Sequence, residues 1–443
     1  MLFRIVTILI LLPYALLAQH TIKGVLSPAT DFEVVLLYKV TPTVSEYITN
    51  ADVQKDGSFQ FQLEASAAPG IYRMVYAVPQ EDYNFDVIYN GKEDIVLAFN
   101  TETGITFKSS IENKLMVSYN SSMSAFTQSI SNYYRQGKKD TLAIKAIFKT
   151  QREAQIRYEK QAENTIALHF IKANKPYIPK KYEDVKTYVK NLKTHYFDNI
   201  DFNNKTLQSS SFLQERMLNY VFGISAEGKD EITNYKNNID VFYNAIKTVP
   251  AGIKRILLVD LWQEMVDLKL EPVANHISKN YLLDIAKLLK DKELVETLTR
   301  YNNLSIGHKA PDFSFVVEKN NQKTTKKLSE LNSAEKYILV FWSSSCSHCL
   351  DEIPKLQKFI KLRAKDKLKV IAVGLEDDGK AWKETIKSYP EFIQVLGLGK
   401  WDNKIGNDYG VTETPTYFVL DKNKHILEKP DSFDALKAYL EQK

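Results

Sequence analysis

Along the first hundred residues, apolar side chains come in short runs, and in Ser58-Phe59-Gln60-Phe61-Gln62-Leu63 they alternate strictly with polar ones. Successive side chains of a strand point to opposite faces, so this alternation predicts a strand with one buried face and one wet face. Comparable β-branched and aromatic runs occupy Phe32 to Tyr38, Ile71 to Val78 and Ile95 to Phe99, separated by the turn pairs Asp56-Gly57, Pro69-Gly70 and Asn90-Gly91. Residues 19–107 are therefore expected to form a small antiparallel β-sandwich.

The period then changes. From about Ser110 the chain runs in long polar-apolar stretches with few glycines, and Ala154, Tyr158, Ala162 and Ile166 recur at a helical interval. Residues 108–304 read as an all-α region, broken near Asn174 to Pro179, at Asn203-Asn204 and at Pro250-Ala251-Gly252. Its frequent Tyr and Phe, as in Tyr196-Phe197 and Tyr220-Val221-Phe222, are ordinary helical core; a concave aromatic-lined ligand surface is the second reading. No residue in this region has the pattern of a catalytic group.

From Ser305 to Lys443 strand-like and helix-like segments alternate, as in an α/β layer. Tyr337 to Trp342 is a buried strand, and Leu350, Ile353, Leu356 and Ile360 mark the inner face of the helix after it. Leu368 to Leu375 is a second buried strand, Lys380 to Ser388 a helix, Thr416 to Leu420 with His425 to Leu427 a terminal hairpin, and Ser432 to Glu441 a last helix. The expected fold class is multidomain: an N-terminal β-sandwich, an all-α middle and a C-terminal α/β fold.

The opening MLFRIVTILILLPYALLA puts Arg4 ahead of an apolar run from Ile5 to Leu17 that ends on a small residue. That run is shorter than the roughly 20 residues a spanning helix needs and contains Pro13, so residues 1–18 read as a secretory signal peptide. Periplasmic export to oxidising conditions is expected, with membrane association only if the signal stays uncleaved. The 443 residues carry a net charge of only +5 and no dense basic block interleaved with aromatics, which argues against nucleic acid as a partner.

The chain's only two cysteines form Cys346-Ser347-His348-Cys349 at a strand-to-helix junction. A structural zinc site needs about four ligands, and there is no second CxxC and no His pair at helical spacing. Attachment of a c-type haem requires His directly after the second Cys, where Leu350 stands. A stapling disulfide closing so short a loop contributes about 2 kcal/mol, against about 4.7 for a loop of a hundred residues. Reversible dithiol/disulfide chemistry fits better. A Cys at a helix start faces unpaired backbone N–H groups and the positive end of the macrodipole, which favour thiolate. Cys346 is then the attacking thiol and Cys349, one turn further in, resolves the mixed disulfide or, in reverse, completes a donated one. The sulfurs carry the electrons, so no cofactor and no metal is called for; the partners are protein dithiols or disulfides and a redox partner.

The segment Val340-Phe-Trp342-Ser-Ser-Ser-Cys346-Ser-His-Cys349, with Thr414-Pro415-Thr-Tyr-Phe-Val-Leu-Asp421 downstream, resembles the thioredoxin superfamily. The opening Gly307-His-Lys-Ala-Pro311-Asp-Phe313 and the long separation of Cys349 from Pro415 are similar to the exported TlpA/ResA branch, over about residues 305–443. This resemblance implies a thioredoxin-like fold and a cis Pro415 beside the cysteines, where a cis bond is otherwise found at about 5% of X-Pro bonds. It also implies an edge strand on which the backbone of Thr414 pairs with an extended substrate. Thr414 and Pro415 are thus substrate-binding candidates, joined by Trp342 packing beneath the site. Residues 19–304 loosely resemble the extensions that precede such domains in some secreted bacterial proteins, which implies binding or positioning of a partner.

Departures carry information too. Plain thioredoxins have a buried Asp just before the Phe-Trp pair; here it is Val340. Glu352, three residues after Cys349 in a Glu-Ile-Pro that resembles the Glu-x-Pro of the ResA branch, is a candidate acceptor for the Cys349 proton, or else a solvated acid near a helix start. His348 beside the Cys346 sulfur would favour thiolate, at about 1.4 kcal/mol or 30 mV per pKa unit, pushing the pair toward oxidant or isomerase character. The TlpA/ResA resemblance implies reduction instead, including service to cytochrome maturation. Glu376-Asp377-Asp378 reads as a solvated loop, and Trp382 and Trp401 as core. Two alternatives stand beside the oxidoreductase. One is a ligand- or partner-binding protein whose CxxC is a redox-gated or soft-metal clasp. The other is a thiol peroxidase, although Leu339 and Ser343 occupy positions where the peroxiredoxin pattern has Pro and Thr.

Overall fold

A computed structural model describes residues 20–442 apart from 43–44, 81, 138–139, 224–229, 320–321 and 365–366. The signal-peptide reading of residues 1–18 lies outside the described residues. The chain divides into two compact units between Leu261 and Trp262.

The first unit opens with eight strands: β1 (Thr21–Ser27), β2 (Val34–Val40), β3 (Ser45–Asp52), β4 (Ser58–Gln62), β5 (Gly70–Val75), β6 (Asn84–Tyr89), β7 (Ile95–Asn100) and β8 (Gly104–Phe107). They form two four-stranded sheets, ordered β4-β1-β7-β8 and β3-β2-β5-β6. The alternation read in Ser58 to Leu63 places Phe59, Phe61 and Leu63 in a core shared with Val35 and Leu37 of β2 and Met74 of β5. The expectation of purely antiparallel pairing fails at one place: β1 and β7 run parallel. The 67 residues between them accommodate the crossover that a parallel pair requires, which a hairpin cannot supply.

Helices follow: α1 (Ile111–Arg135), α2 (Thr141–Gln161), α3 (Ala167–Ala173), α4 (Val185–Thr194), α5 (Lys205–Gln208), α6 (Phe212–Gly223), α7 (Glu231–Ala245) and α8 (Ala251–Asp267), the last crossing the division. Asn204 caps α5 through the backbone N–H groups of Thr206 and Leu207, and α8 begins directly after Pro250. The predicted helical series from Ala154 to Ile166 is interrupted: α2 stops at Gln161, and Asn164 adopts φ +63° between α2 and α3. Strands and helices of this unit are tied by side chains. Asn113 accepts from the Ile88 N–H at 2.9 Å and donates to the Ile88 carbonyl at 2.7 Å, standing in for a neighbouring strand on the outer edge of β6. Arg73 grips Asp86 across β5 and β6 with two bonds of 2.8 and 3.0 Å, and Asp86 also accepts from the Ser211 N–H beside α6.

The second unit contains α9 (Glu271–Ile277), a π-helical turn at Ser278–Leu282, α10 (Leu283–Leu288), α11 (Lys292–Asn303), the hairpin β9 (Ser314–Lys319) and β10 (Gln322–Lys327), then β11 (Lys336–Trp342), α12 (Ser347–Lys361), β12 (Leu368–Glu376), α13 (Lys380–Thr385), β13 (Ile393–Leu398), α14 (Lys404–Asp408), β14 (Thr416–Asp421), β15 (Ile426–Glu428) and α15 (Phe433–Glu441). A five-stranded sheet, ordered β13-β12-β11-β14-β15, has β11 at its centre, parallel to β12 and antiparallel to β14. Covered on both faces, β11 is apolar without alternation. Ile338, Val340 and Trp342 point into the core under α12 and α15, and Tyr337, Leu339 and Phe341 into the core on the other side.

Three expectations are corrected here. Leu350 is 45% exposed, so the inner face of α12 consists of Ile353, Leu356 and Ile360 with Phe359. Trp401 is 46% exposed in the loop after β13, whereas Trp382 is buried. And β14 is an internal strand, because the three-residue β15 pairs with its Val419 and Leu420 and takes the edge.

Candidate active site

β11, β12 and β13 are parallel, so their C-terminal ends meet at one rim of the sheet. At that rim the chain leaves Trp342 through Ser343-Ser344-Ser345 and enters α12 with Cys346 as its N-cap, at φ −90° and ψ 119°. The Cys346 Sγ accepts from the Cys349 N–H at 3.3 Å, the bond an N-cap side chain makes to the orphan amides of the first turn. On its other side the same sulfur lies 3.2 Å from the carbonyl oxygen of Thr414, to which the thiol form donates. The Thr414-Pro415 bond is cis, as the resemblance implied. Sequence-distant segments thus converge on one atom.

The two thiols are free and differ in environment. Partial burial of Cys346 opposes its ionisation, but the bond with Cys349, the Thr414 side chain and the backbone N–H groups of Cys349 and His348 outweigh it, holding this thiol below its ordinary value. Cys349 is fully buried, and burial, followed by its bond with Cys346, pushes it up to about 12. One sulfur is therefore partly exposed and ionises more easily than an ordinary thiol; the other is held as the neutral thiol.

The turn that presents Cys346 is fastened from below by Glu376 at the end of β12. Its carboxylate accepts from the Ser344 N–H at 2.6 Å and from the Ser343 hydroxyl at 3.3 Å, and its carbonyl accepts from the Gly399 N–H at 3.0 Å. Glu376 is buried, which corrects the expectation of a solvated acidic loop for this residue: the parallel register of β12 against β11 carries it under the turn. Asp377 and Asp378 beyond it are exposed.

Glu352 is half-buried, one turn beyond Cys349. Its carboxylate accepts from the Tyr417 hydroxyl at 2.8 Å and from the Phe433 N–H at 3.1 Å, so it is a bonded acid and not a solvated one. The His348 imidazole is exposed; among the described residues it makes no hydrogen bond to the Cys346 sulfur, and it is the backbone of His348 that faces it. Trp342 is completely buried against Tyr389, with ring centroids 6.1 Å apart, and packs beneath the site as expected, without surface of its own to offer a substrate: its even position on β11 turns it under α12. Glu376 and Tyr417 were not among the sequence candidates. Both occupy inward positions at the end or start of a strand, and only the pairing of strands brings them to the cysteines. Among the described residues no group of three or more His, Cys, Asp or Glu is placed to hold a metal ion.

The site is thus a dithiol on the first turn of a helix, fed by the central strand of a mixed sheet and touched by a cis-proline loop. A family model described as thioredoxin-like matches residues 332–426, a segment that holds Cys346, Cys349, Glu352, Thr414 and Pro415. The thioredoxin-like protein YneN of Bacillus subtilis (strain 168) is 30% identical over 141 residues, covering 31% of this chain and 77% of YneN. The thiol-disulfide oxidoreductase ResA of Bacillus cereus (strain ZK / E33L) is 27% identical over 143 residues, covering 31% of this chain and 79% of that protein. A solved domain of a possible thiol-disulfide isomerase from Cytophaga hutchinsonii ATCC 33406 shares 29% identity over 31% of this chain and 92% of its own, with a TM-score of 0.27. The chain belongs to the thioredoxin-like family of thiol-disulfide oxidoreductases.

Proposed function

We propose that the protein is an exported thiol-disulfide oxidoreductase that exchanges a dithiol/disulfide at Cys346-Ser347-His348-Cys349 with protein substrates through a mixed disulfide on Cys346. The observation that carries this reading is the contrast between the two sulfurs, one partly exposed with its ionisation eased, the other buried with its ionisation opposed. In the reducing direction the Cys346 thiolate attacks one sulfur of a substrate disulfide. The substrate S–S bond breaks, a Cys346-substrate S–S bond forms, and the first substrate sulfur leaves as thiolate. Cys349 then gives up its proton and attacks the Cys346 sulfur, which forms the Cys346-Cys349 disulfide and releases the second substrate thiol. Two electrons pass to the substrate, and a dithiol redox partner returns them to the protein. Run backward, the same steps donate a disulfide.

Residues 1–18 serve in this reading as a cleaved signal for periplasmic export, 19–107 as a β-sandwich domain, 108–304 as a helical region that positions a partner, and 305–443 as the catalytic domain. Thr414 and Pro415 lie where the backbone of an extended substrate meets Cys346, and the helical Glu352 takes up the proton that Cys349 loses. Replacing Cys346 with Ser is expected to abolish reduction of insulin disulfides, and Cys349→Ser to trap the mixed disulfide as a covalent adduct visible by mass spectrometry. Full turnover in Cys346→Ser would overturn the assignment. The reduction potential of the pair then assigns the net direction, near thioredoxin at about −270 mV for a reductant or near about −120 mV for an oxidant.

A second reading, a binding protein with a redox-gated CxxC, is favoured by a cleft of about 580 Å3 among α1, α3, α4 and α6, lined by Met123, Tyr177, His195, Tyr196, Phe212 and Arg216. Under that reading a wild-type protein with no disulfide turnover would lose ligand binding when Cys346 is replaced.

A further inference from the structure

Resolution of the mixed disulfide requires Cys349 to lose a proton from a site closed to water. This inference rests on the dithiol reading and asks which group takes that proton. The side chains of β11 on the same face offer none: Ile338 and Val340 are apolar, and Trp342 carries only an N–H donor. The Thr414 side chain and the Ser343 backbone also bond the Cys349 thiol, but neither is a base; the register of the sheet supplies a path to one. Tyr417 of β14 is the direct cross-strand partner of Val340, and such partners on one face stand about 5 Å apart. The Tyr417 side chain is fully buried in the core that contains Cys349, close enough that a Cys349 thiolate disfavours ionisation of the phenol. Its hydroxyl donates at 2.8 Å to Glu352, whose carboxylate is fixed in turn by the Phe433 N–H. The chain of groups runs from the buried thiol, through the phenol, to a carboxylate that reaches partly exposed surface.

We infer that the Tyr417 hydroxyl relays the Cys349 proton to Glu352 as Cys349 attacks the mixed disulfide, so that Glu352 acts through Tyr417 and not by direct contact. In the step the Cys349 S–H proton moves to the Tyr417 oxygen while the Tyr417 proton moves to the Glu352 carboxylate. The Cys349-Cys346 bond forms as the Cys346-substrate bond breaks, and the electron pair leaves with the substrate sulfur. Tyr417 ends neutral, and Glu352 returns its proton to water. Of the titratable groups around Cys349, Cys346 lies at the start of its own helix and Tyr417 shares its core from β14, with Glu352 beyond the phenol; the uncharged Thr414 side chain also bonds the thiol.

The test uses the full chain and 5,5′-dithiobis(2-nitrobenzoate), following the first released thiolate as formation of the mixed disulfide and the second as its resolution. Tyr417→Phe keeps the ring and removes the hydroxyl. It is expected to slow resolution about a hundredfold near neutral pH, the size of a general acid-base contribution, with the deficit shrinking as rising hydroxide replaces the relay. Glu352→Gln is expected to give the same profile, and the double variant to be no slower than the slower single, as for two members of one path. A side chain with a packing role alone would lower the melting temperature without changing the pH profile. Resolution in Tyr417→Phe at the wild-type rate and pH dependence, with Glu352→Gln slowed, overturns the relay while leaving the dithiol reading intact. Failure of the wild type to form any mixed disulfide overturns both.

Discussion

Cys346 and Cys349 stand three residues apart, yet the fold treats them as different acids. Alkylation should separate them. In the reduced protein iodoacetamide is expected to modify Cys346 at neutral pH and to leave Cys349 untouched until the solution approaches the value of about 12 to which burial raises it. The same shift has a stability signature. A thiol that ionises near its ordinary value, about 8.5, in the unfolded chain, and only near 12 when folded, makes the folded state hold the extra proton between those limits. Stability therefore falls as pH rises through that window. Cys349→Ala is expected to flatten this part of the denaturant-stability profile relative to wild type, and an unchanged slope would count against the buried thiol. The cysteines themselves were legible in the sequence because their partnership is local, one helical turn. Glu376 and Tyr417 were not, since a residue on β12 and another on β14 meet the site through register, which spacing along the chain does not encode.

At the scale of elements, the run Tyr337 to Trp342 disclosed a strand covered on both sides, and the apolar series on α12 disclosed the face that covers it. Leu350 broke that series because on the first turn of α12 it is Cys349 that faces the core, leaving Leu350 to solvent. The terminal hairpin of β14 and β15 was visible in advance, but its place in the sheet was not, and three residues of β15 suffice to turn β14 from an edge into an interior strand. The turn Ser343 to Ser345 has little apolar content of its own and depends on Glu376 for its shape. Glu376→Ala removes the acceptor of the partly buried Ser344 N–H. It is expected to cost about 1–3 kcal/mol in chemical denaturation and to raise the Cys346 thiol toward its ordinary value, read as slower alkylation at neutral pH. Faster alkylation would show instead that the carboxylate charge outweighs its grip on the turn.

For the whole molecule, the sequence suggested three zones by composition, whereas packing makes two compact units. Helices up to α8 share the first unit with the strands, and α9 to α11 group with the mixed sheet. Hydrophobic period reveals what an element is but not which neighbour it buries against, so a boundary inside a helical stretch leaves no mark in composition. Heat is expected to unfold the chain in two calorimetric transitions, with Arg73→Ala lowering one alone, since both its bonds to Asp86 lie in the first unit. The double bond pattern between Asn113 and Ile88 has a further consequence for how copies of this chain behave in concentrated solution. An unpaired strand border is a template for polymerisation. A single carboxamide occupies the position a neighbouring chain would claim, so Asn113→Ala should shift the protein toward higher-mass species in light scattering before it melts.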